Sequence, residues 1–339
     1  MPDTATTDSV YIWETGYGLL EIGGPDAKDL LHRLSTNDIM SLEDGISTTT
    51  IFATPKGRII DRVRISIIED TIYMYTSPGL AHTITEWLDS YTFMEDITVH
   101  DLTTESLIFE LIGSESMEGH RYWESSGKHV SSKPYVSLDQ NQVTSVYATT
   151  KLPQDDNSPQ YKEIATRTSG PIDPTYLIHR SRSDPFWAYH DLPSNFKWIT
   201  SSNRESLRIR SGIPQSPNEI NLQTNPLEVG LRSDIDFEKG CYIGQEVILR
   251  LDTYKKVKRH LVRITLETES PPKIGSNIVR SGDSVPSGKL TSISEKIEGK
   301  GFEGLALVKS AVQDFNQTFE IHQTDTTWKA NLHPLSLSE

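Results

Sequence analysis

The chain has 339 residues, 35% hydrophobic and 24% charged, with a mean hydropathy of −0.45, which excludes a largely disordered protein and calls for two or three domains of roughly 100–200 residues each. Forty-seven acidic against 33 basic side chains leave a formal charge of −14, so most of the surface repels nucleic acid and anionic membrane, and any polyanion needs a local basic patch. The only cysteine, Cys241, excludes an internal disulfide, an iron-sulfur cluster held wholly by the chain's own thiolates and a cysteine-rich zinc site.

Gly18 to Ile22 reads as a strand, and Gly24-Pro25-Asp26 opens a helix whose buried stripe is Leu30, Leu31 and Leu34. Ile46 to Thr54 is rich in β-branched residues. After the turn Pro55-Lys56-Gly57, Val63, Ile65 and Ile67 alternate with Arg62, Arg64 and Ser66, which predicts a β-hairpin with one wet face. Ile72 to Tyr75 is a further strand, and Ser77-Pro78 is expected to cap a helix running to about Ser90 on Leu80, Ile84, Trp87 and Leu88.

Gly113 to Gln160 is polar and rich in Ser, Gly and Pro, with a weak strand at Val143 to Thr149, and reads as insertions and loops. Thr200 to Arg210 is helical in composition and stops at Gly212-Ile213-Pro214. From His260 onward, short apolar runs at Leu261–Leu266, Lys289–Ile293, Gly304–Val308, Phe319–His322 and Trp328–Leu332, separated by turn residues, predict a small antiparallel barrel or sandwich. The order is that of an α+β protein.

No run approaches the roughly 18 apolar residues of a spanning helix, and Met1 to Val10 lacks the basic and apolar regions of a signal peptide, so a cytoplasmic protein with no membrane partner is expected. Neither an H-E-x-x-H pair nor a C-x-x-C pair is present, and no resident metal is expected.

Chemistry concentrates in Lys239-Gly240-Cys241-Tyr242-Ile243-Gly244-Gln245-Glu246. A thiol between glycines, near a cation and ahead of a helix expected over Gln245 to Leu251, stands in surroundings that favour thiolate. The other reading of Cys241 is a small buried hydrophobe. Lys255, Lys256, Lys258, Arg259 and His260 form a basic cluster that is either an anion site or a solvated turn. Asp61, after the hairpin turn, is either a carboxylate held in a cavity as base or stabiliser or a surface strand residue.

Gly24-Pro25-Asp26-Ala27, Leu34-Ser35-Thr36-Asn37-Asp38, Lys56-Gly57-Arg58-Ile59-Ile60-Asp61, Pro226-Leu227-Glu228 and above all Lys239 to Glu246 with Arg250 resemble the YgfZ/GcvT-like proteins. That family includes the glycine-cleavage aminomethyltransferase (T-protein) and iron-sulfur maturation factors. The last segment resembles the family signature K-G-C-[FY]-x-G-Q-E.

The resemblance implies a three-domain T-protein-like ring with a C-terminal β-barrel. The expected parts are 1–50 with about 150–255, an intervening 51–149, and 256–339. It also implies that tetrahydrofolate or a derivative binds near Lys56-Gly57-Arg58 and near Arg208 to Glu219. The residues nominated for that ligand are Asn37, Arg58, Arg208, Glu219, Glu228, Tyr242, Gly244, Gln245, Glu246 and Arg250, with Cys241, Lys239 and Asp61 as the reactive set.

Two departures separate the chain from T-proteins. Arg62 stands where their G-G-x-x-D-D hairpin carries a second acid, and Arg208-Ile209-Arg210-Ser211-Gly212 reads against their R-x-E-x-G. Both, with the intact cysteine signature, point to the maturation branch, whose partners are iron-sulfur assembly proteins or client enzymes. Folate-dependent aminomethyl transfer or demethylation, with Asp61 as the essential carboxylate, is the alternative.

Overall fold

The computed structural model describes residues 10–68, 70–112, 145–150, 161–168, 175–182, 196–323 and 326–335. The chain divides into two compact units, one of Pro2–Thr50 with Arg62–Ile199 and the other of Ile51–Asp61 with Thr200–Glu339.

In the first unit, β1 (Val10–Glu14), β2 (Gly18–Gly23), α1 (Ala27–Leu34), β3 (Ser47–Ala53), β4 (Ile59–Ile68), β5 (Thr71–Thr76) and α2 (Ala81–Ser90) follow in order. The outer ends of β3 and β4 are the segment that groups with the second unit. β6 (Thr98–Asp101) closes a five-stranded sheet in the order β3-β4-β5-β2-β6. Leu30, Leu31 and Leu34 are buried as the spacing requires.

β7 (Ser106–Ile112), β8 (Ser145–Thr150), β9 (Tyr161–Thr168), β10 (Thr175–Ser181) and β11 (Phe196–Trp198) join β1 in a six-stranded sheet ordered β11-β1-β7-β10-β9-β8. Only the β1–β11 pair is parallel. Leu19, Ile68, Tyr73, Tyr75, Ile108 and Leu177 form one core cluster of this unit.

Three local expectations need correction. The wet face of β4 is not wet: Arg62 and Arg64 are half-buried and Ser66 is 0% exposed. Ser77-Pro78 does not cap α2, because the helix starts at Ala81 and the Leu80 N–H donates to Ser77 O at 3.0 Å, making those residues a turn before the helix. Trp87 is half-buried, and the buried stripe of α2 is Ala81, Ile84 and Leu88. Most of the loop region expected over Gly113 to Gln160 lies outside the described residues.

The second unit runs through α3 (Ser201–Arg210), a 3-10 turn at Arg232–Asp234 and α4 (Gln245–Thr253). Thr200 caps α3 by accepting from the Asn203 N–H. β12 (Arg259–Leu266), β13 (Asn277–Arg280), β14 (Gly288–Ile293), β15 (Phe302–Lys309), β16 (Phe319–Gln323) and β17 (Thr326–Pro334) then close a six-stranded antiparallel barrel in the order β12-β15-β14-β13-β16-β17.

Alternation along these strands sends Val262, Ile264, Leu266, Ile278, Leu290, Phe302, Phe319, Ile321 and Leu332 into the barrel core. The opposite faces of β12 and β15 give Leu261, Leu305 and Leu307 to a second cluster with Ile51, Ile59, Ile209, Ile220, Val229 and Leu231. The outer hairpin segment and α3 thereby acquire a fixed seat on the outside of the barrel. The chain is an α+β protein with a C-terminal antiparallel barrel.

Candidate functional site

The nominated hairpin and the cysteine segment lie in the same unit and touch. In the turn after β3, the Gly57 N–H donates to Thr54 O at 2.8 Å and the Thr54 N–H to Arg58 O at 2.8 Å. Gly57 takes φ +66, and a Cβ there would approach Val247 and Ile248 of α4 to 3.2–3.3 Å. Gly244, the N-cap of α4, takes φ +85, and a Cβ on it would lie 2.7 Å from Thr54 O and 3.3 Å from Gly57 Cα. Gly244 is therefore required by the backbone of the hairpin turn and Gly57 by the side chains of α4, and together they seat the signature segment on the turn.

The segment is also held from within. Asp236 Oδ1 accepts from the Glu238 and Lys239 N–H groups at 2.8 and 3.1 Å, and the Gln245 N–H donates to Tyr242 O at 3.2 Å. Tyr242 and Ile248 pack with Ala53 and Ile235. The segment thus presents Cys241 on an anchored loop, where the cysteine is exposed and free of disulfide bonding.

Cys241 stands three residues ahead of the α4 cap, outside the first turn where the field of a helix terminus acts. The Lys239 ammonium lies over the Tyr242 ring, 5.4 Å from its centroid, a cation-π contact. The Tyr242 hydroxyl is buried with no hydrogen-bond partner among the described residues. Burial first, and the nearby Asp236 carboxylate second, push its phenol up to about 12.

Glu228 organises the cationic side of the turn. Its buried carboxylate accepts from Arg259 at 2.8 and 2.9 Å, from the Asn225 N–H at 3.2 Å and from Arg58 Nη1 at 3.5 Å. Both guanidinium groups also donate to Gln223 O, Arg58 at 3.0 Å and Arg259 at 2.7 Å. Arg58 and Arg259 keep 42% and 33% side-chain exposure, so one carboxylate aligns two arginines that still face water.

Arg208 and Glu219 are brought together, but with each other. Arg208 is 0% exposed and donates to Glu205 at 2.5 and 2.7 Å, Ile213 O at 2.5 Å, Glu219 at 3.1 Å and Ser292 Oγ at 2.7 Å. Ser292 Oγ in turn donates to Glu219 Oε1 at 2.6 Å, and it is placed there by a bulge in β14 between Leu290 and Ser292. Such full commitment makes this cluster the joint between α3 and the barrel. Arg210, the residue that reverses the expected acid, pairs with Glu303 at 3.2 Å.

Gln245 is half-buried with its amide 3.5 Å from Gly240 O, while Glu246 and Arg250 are exposed on α4. Asp61 is 0% exposed on β4, which overturns the surface-strand reading of it. Asn37 lies in the other unit, where its amide donates to Thr48 Oγ1 and Thr49 O at 3.1 and 3.0 Å and its Oδ1 accepts from the Asp38 N–H. His260, half-buried, has its pKa lowered by burial and stacks edge-on with Phe315.

Ser292, Gln223 and the role of Arg259 were not legible in the sequence. The bond of Arg208 to Ser292 spans 84 positions, and no periodicity signals a contact of that range. Arg259 was visible only as one more cation in a basic run.

A separate cavity of about 550 Å³ in the first unit is lined by Gly24, Lys28, Glu43, Asp44, Asp70 and neighbours, and contains no nominated residue. Among the described residues no group of three or more His, Cys, Asp or Glu side chains is arranged to hold a metal, and no helix is long and apolar enough to cross a membrane.

Residues 4–149 match the model of the GCVT N-terminal domain. Over 339 aligned residues, covering 94% of this chain and 71% of the relative, the chain is 28% identical to a chloroplastic Arabidopsis thaliana protein named provisionally as a transferase. It is 23% identical to an aminomethyltransferase of Chlorobium luteolum, covering 78% of this chain and 69% of that one. It is 22% identical to an uncharacterised Haemophilus influenzae protein, covering 98% of this chain and all of that one. The structure superposes on the glycine cleavage system aminomethyltransferase T of Bartonella henselae with a TM-score of 0.75 at 18% identity, covering 98% of this chain and 88% of the other. The chain is thus GcvT-like in sequence and fold.

Proposed function

We propose that the chain binds a reduced folate and assists assembly or repair of iron-sulfur clusters on client enzymes, with Cys241 as the working thiol. The observation that carries this reading is an exposed, disulfide-free cysteine on a loop clamped to the hairpin by Gly57 and Gly244. One thiol cannot hold a cluster, but its thiolate can lend a single ligand to a client's iron and withdraw again. Lys239 and the Tyr242 ring shape the loop beside it.

The fit to a folate rests on what the nominated residues have left to offer. Among the described residues the Tyr242 hydroxyl has no partner, the Arg58 side chain keeps 42% exposure, and Gln245, Glu246 and Arg250 are not drawn into buried networks. Arg208 and Glu219 are spent on each other, so their contribution is to fix α3 against the barrel. A reduced folate would supply a one-carbon carrier. The protein's part is to orient it with these side chains.

Aminomethyl transfer is the second reading, favoured by the aminomethyltransferase relatives and by the full burial of Asp61, the carboxylate it requires. One set of experiments separates the two. Tetrahydrofolate is expected to raise the melting temperature and perturb Trp fluorescence. Cys241→Ala is expected to keep that binding yet fail to restore aconitase-type activity in cells lacking the gene. Full restoration by Cys241→Ala removes the proposed role, and tetrahydrofolate-dependent turnover of an aminomethyl donor, abolished by Asp61→Asn, establishes the second reading instead.

A further inference from the structure

The loop that follows α2 carries two large apolar residues into solvent, Phe93 at 83% and Met94 at 96% exposure. Neither is left there by a slack chain. The Glu95 carboxylate accepts from the Phe93 and Met94 N–H groups at 2.8 and 3.1 Å, and its other oxygen accepts from Arg33 at 2.9 Å. Arg33 is itself paired with Asp29 one turn earlier on α1 at 2.8 Å.

A second bolt follows at once. The Asp96 N–H donates to Asp26 at 2.8 Å, and Gly24 lies so close to Asp96 O that a Cβ there would stand 2.2 Å from it. Held this way, the Glu95 carboxyl is drawn down to about 2, by the Phe93 N–H first and by Arg33 second.

Two adjacent large apolar side chains on a turn whose backbone is held meet two requirements of a binding anchor: area to bury, and little backbone ordering left to lose on docking. The surrounding charge chooses the occupant. Asp26, Asp29, Asp89, Glu95 and Asp96 stand on or beside the turn against the one guanidinium of Arg33, while Lys28 is turned to Leu42 O at 2.6 Å. An anionic bilayer is repelled by such a collar, and an identical acidic surface is repelled likewise.

We propose that Phe93 and Met94 form a docking finger for a protein partner that offers an apolar pocket rimmed by lysines and arginines. The choice of that partner as an iron-sulfur client enzyme rests on the function proposed above. Docking through the finger brings the client to the protein by its surface, independently of the thiol.

The test uses the full chain with p-benzoylphenylalanine at position 94, irradiated with the purified apo form of a [4Fe–4S] hydro-lyase, with anionic vesicles, or alone. Cross-linking to the apo-enzyme is expected, declining as salt rises. Phe93→Ser with Met94→Ser is expected to weaken binding of the apo-enzyme at least about tenfold, with the melting temperature unchanged because both side chains are in water. Asp89→Lys with Asp96→Lys is expected to weaken it while leaving the apolar pair intact.

Unchanged affinity of the serine variant overturns the proposal. So does labelling only of vesicles or of a second copy, or no binding of the apo-enzyme. Restoration of client activity, read in parallel, keeps the two ideas apart. Docking without restoration sinks the proposed function alone, and restoration by the serine variant sinks the finger alone.

Discussion

Tyr242 brings burial and chemistry into conflict on one side chain. An unpartnered buried hydroxyl raises the free energy of the folded state by roughly 1–3 kcal/mol, a debt that a ligand with a matching acceptor removes. Tyr242→Phe is therefore expected to leave the free protein as stable or about 1 kcal/mol more stable, while lessening the thermal shift produced by tetrahydrofolate.

The same residue has a pH signature. The phenol is pushed up to about 12 in the fold from an unfolded value near 10, so the unfolded chain loses its proton first. Stability is fully present below about pH 10 and declines towards pH 12, by roughly 2–3 kcal/mol in all. Phenylalanine removes that portion of the slope and leaves the part due to Tyr75, whose phenol burial also raises. An equal ligand-induced shift in wild type and variant would show that the hydroxyl takes no part in binding.

At this scale the sequence revealed residue types more readily than allegiances. Cys241 was identifiable as a candidate because it is the chain's sole thiol, and the signature around it fixed attention on Gly244 and Tyr242. That Arg208 and Glu219 would satisfy each other, with a serine from a bulged strand completing the set, depends on contacts made only after the barrel closes.

Among the elements, the contact between the hairpin turn and the start of α4 carries the candidate site. Gly244→Ala places a side chain in left-handed backbone, costing about 1–2 kcal/mol, and adds the collision with Thr54 O. The expected result is a loss of roughly 2–3 kcal/mol in denaturant unfolding and altered alkylation kinetics at Cys241, since the loop must lift from the turn. A variant with wild-type stability and thiol reactivity would show that the clamp does not set the loop.

Elements with strong local punctuation were readable from sequence: α1 after Gly24-Pro25-Asp26, α3 between Thr200 and Gly212, and most of the barrel strands. β7 was not, because its buried run Ile108–Ile112 lacks the polar alternation that announces a strand. β13 was missed because it has four residues, too few for a periodic signal. The wet face expected of β4 failed for a tertiary reason, the cover over Ser66.

On the scale of the whole molecule, the barrel is the element to which the site residues of its unit are tied. Arg259 begins β12, Ser292 lies on β14, and Glu228 O accepts from the Leu261 N–H at 2.9 Å. β17 pairs with both β12 and β16, so it is the strand that shuts the ring. Ending the chain at Gln323 would expose the edges of both and is expected to abolish cooperative unfolding of this unit, with Arg208 and Glu219 left in a loosened joint. A sharp calorimetric transition in that truncated protein would contradict this assignment.

The route by which the ring is completed bears on how the protein is made. The end of β12 leaves the ribosome about 60 residues before β17 begins, and over that interval the edge of β12 that β17 will cover is open to any stray strand. A nascent chain with so late a seal is a natural substrate for chaperones, and its yield on expression will depend more on growth temperature and translation speed than on the stability of the finished fold.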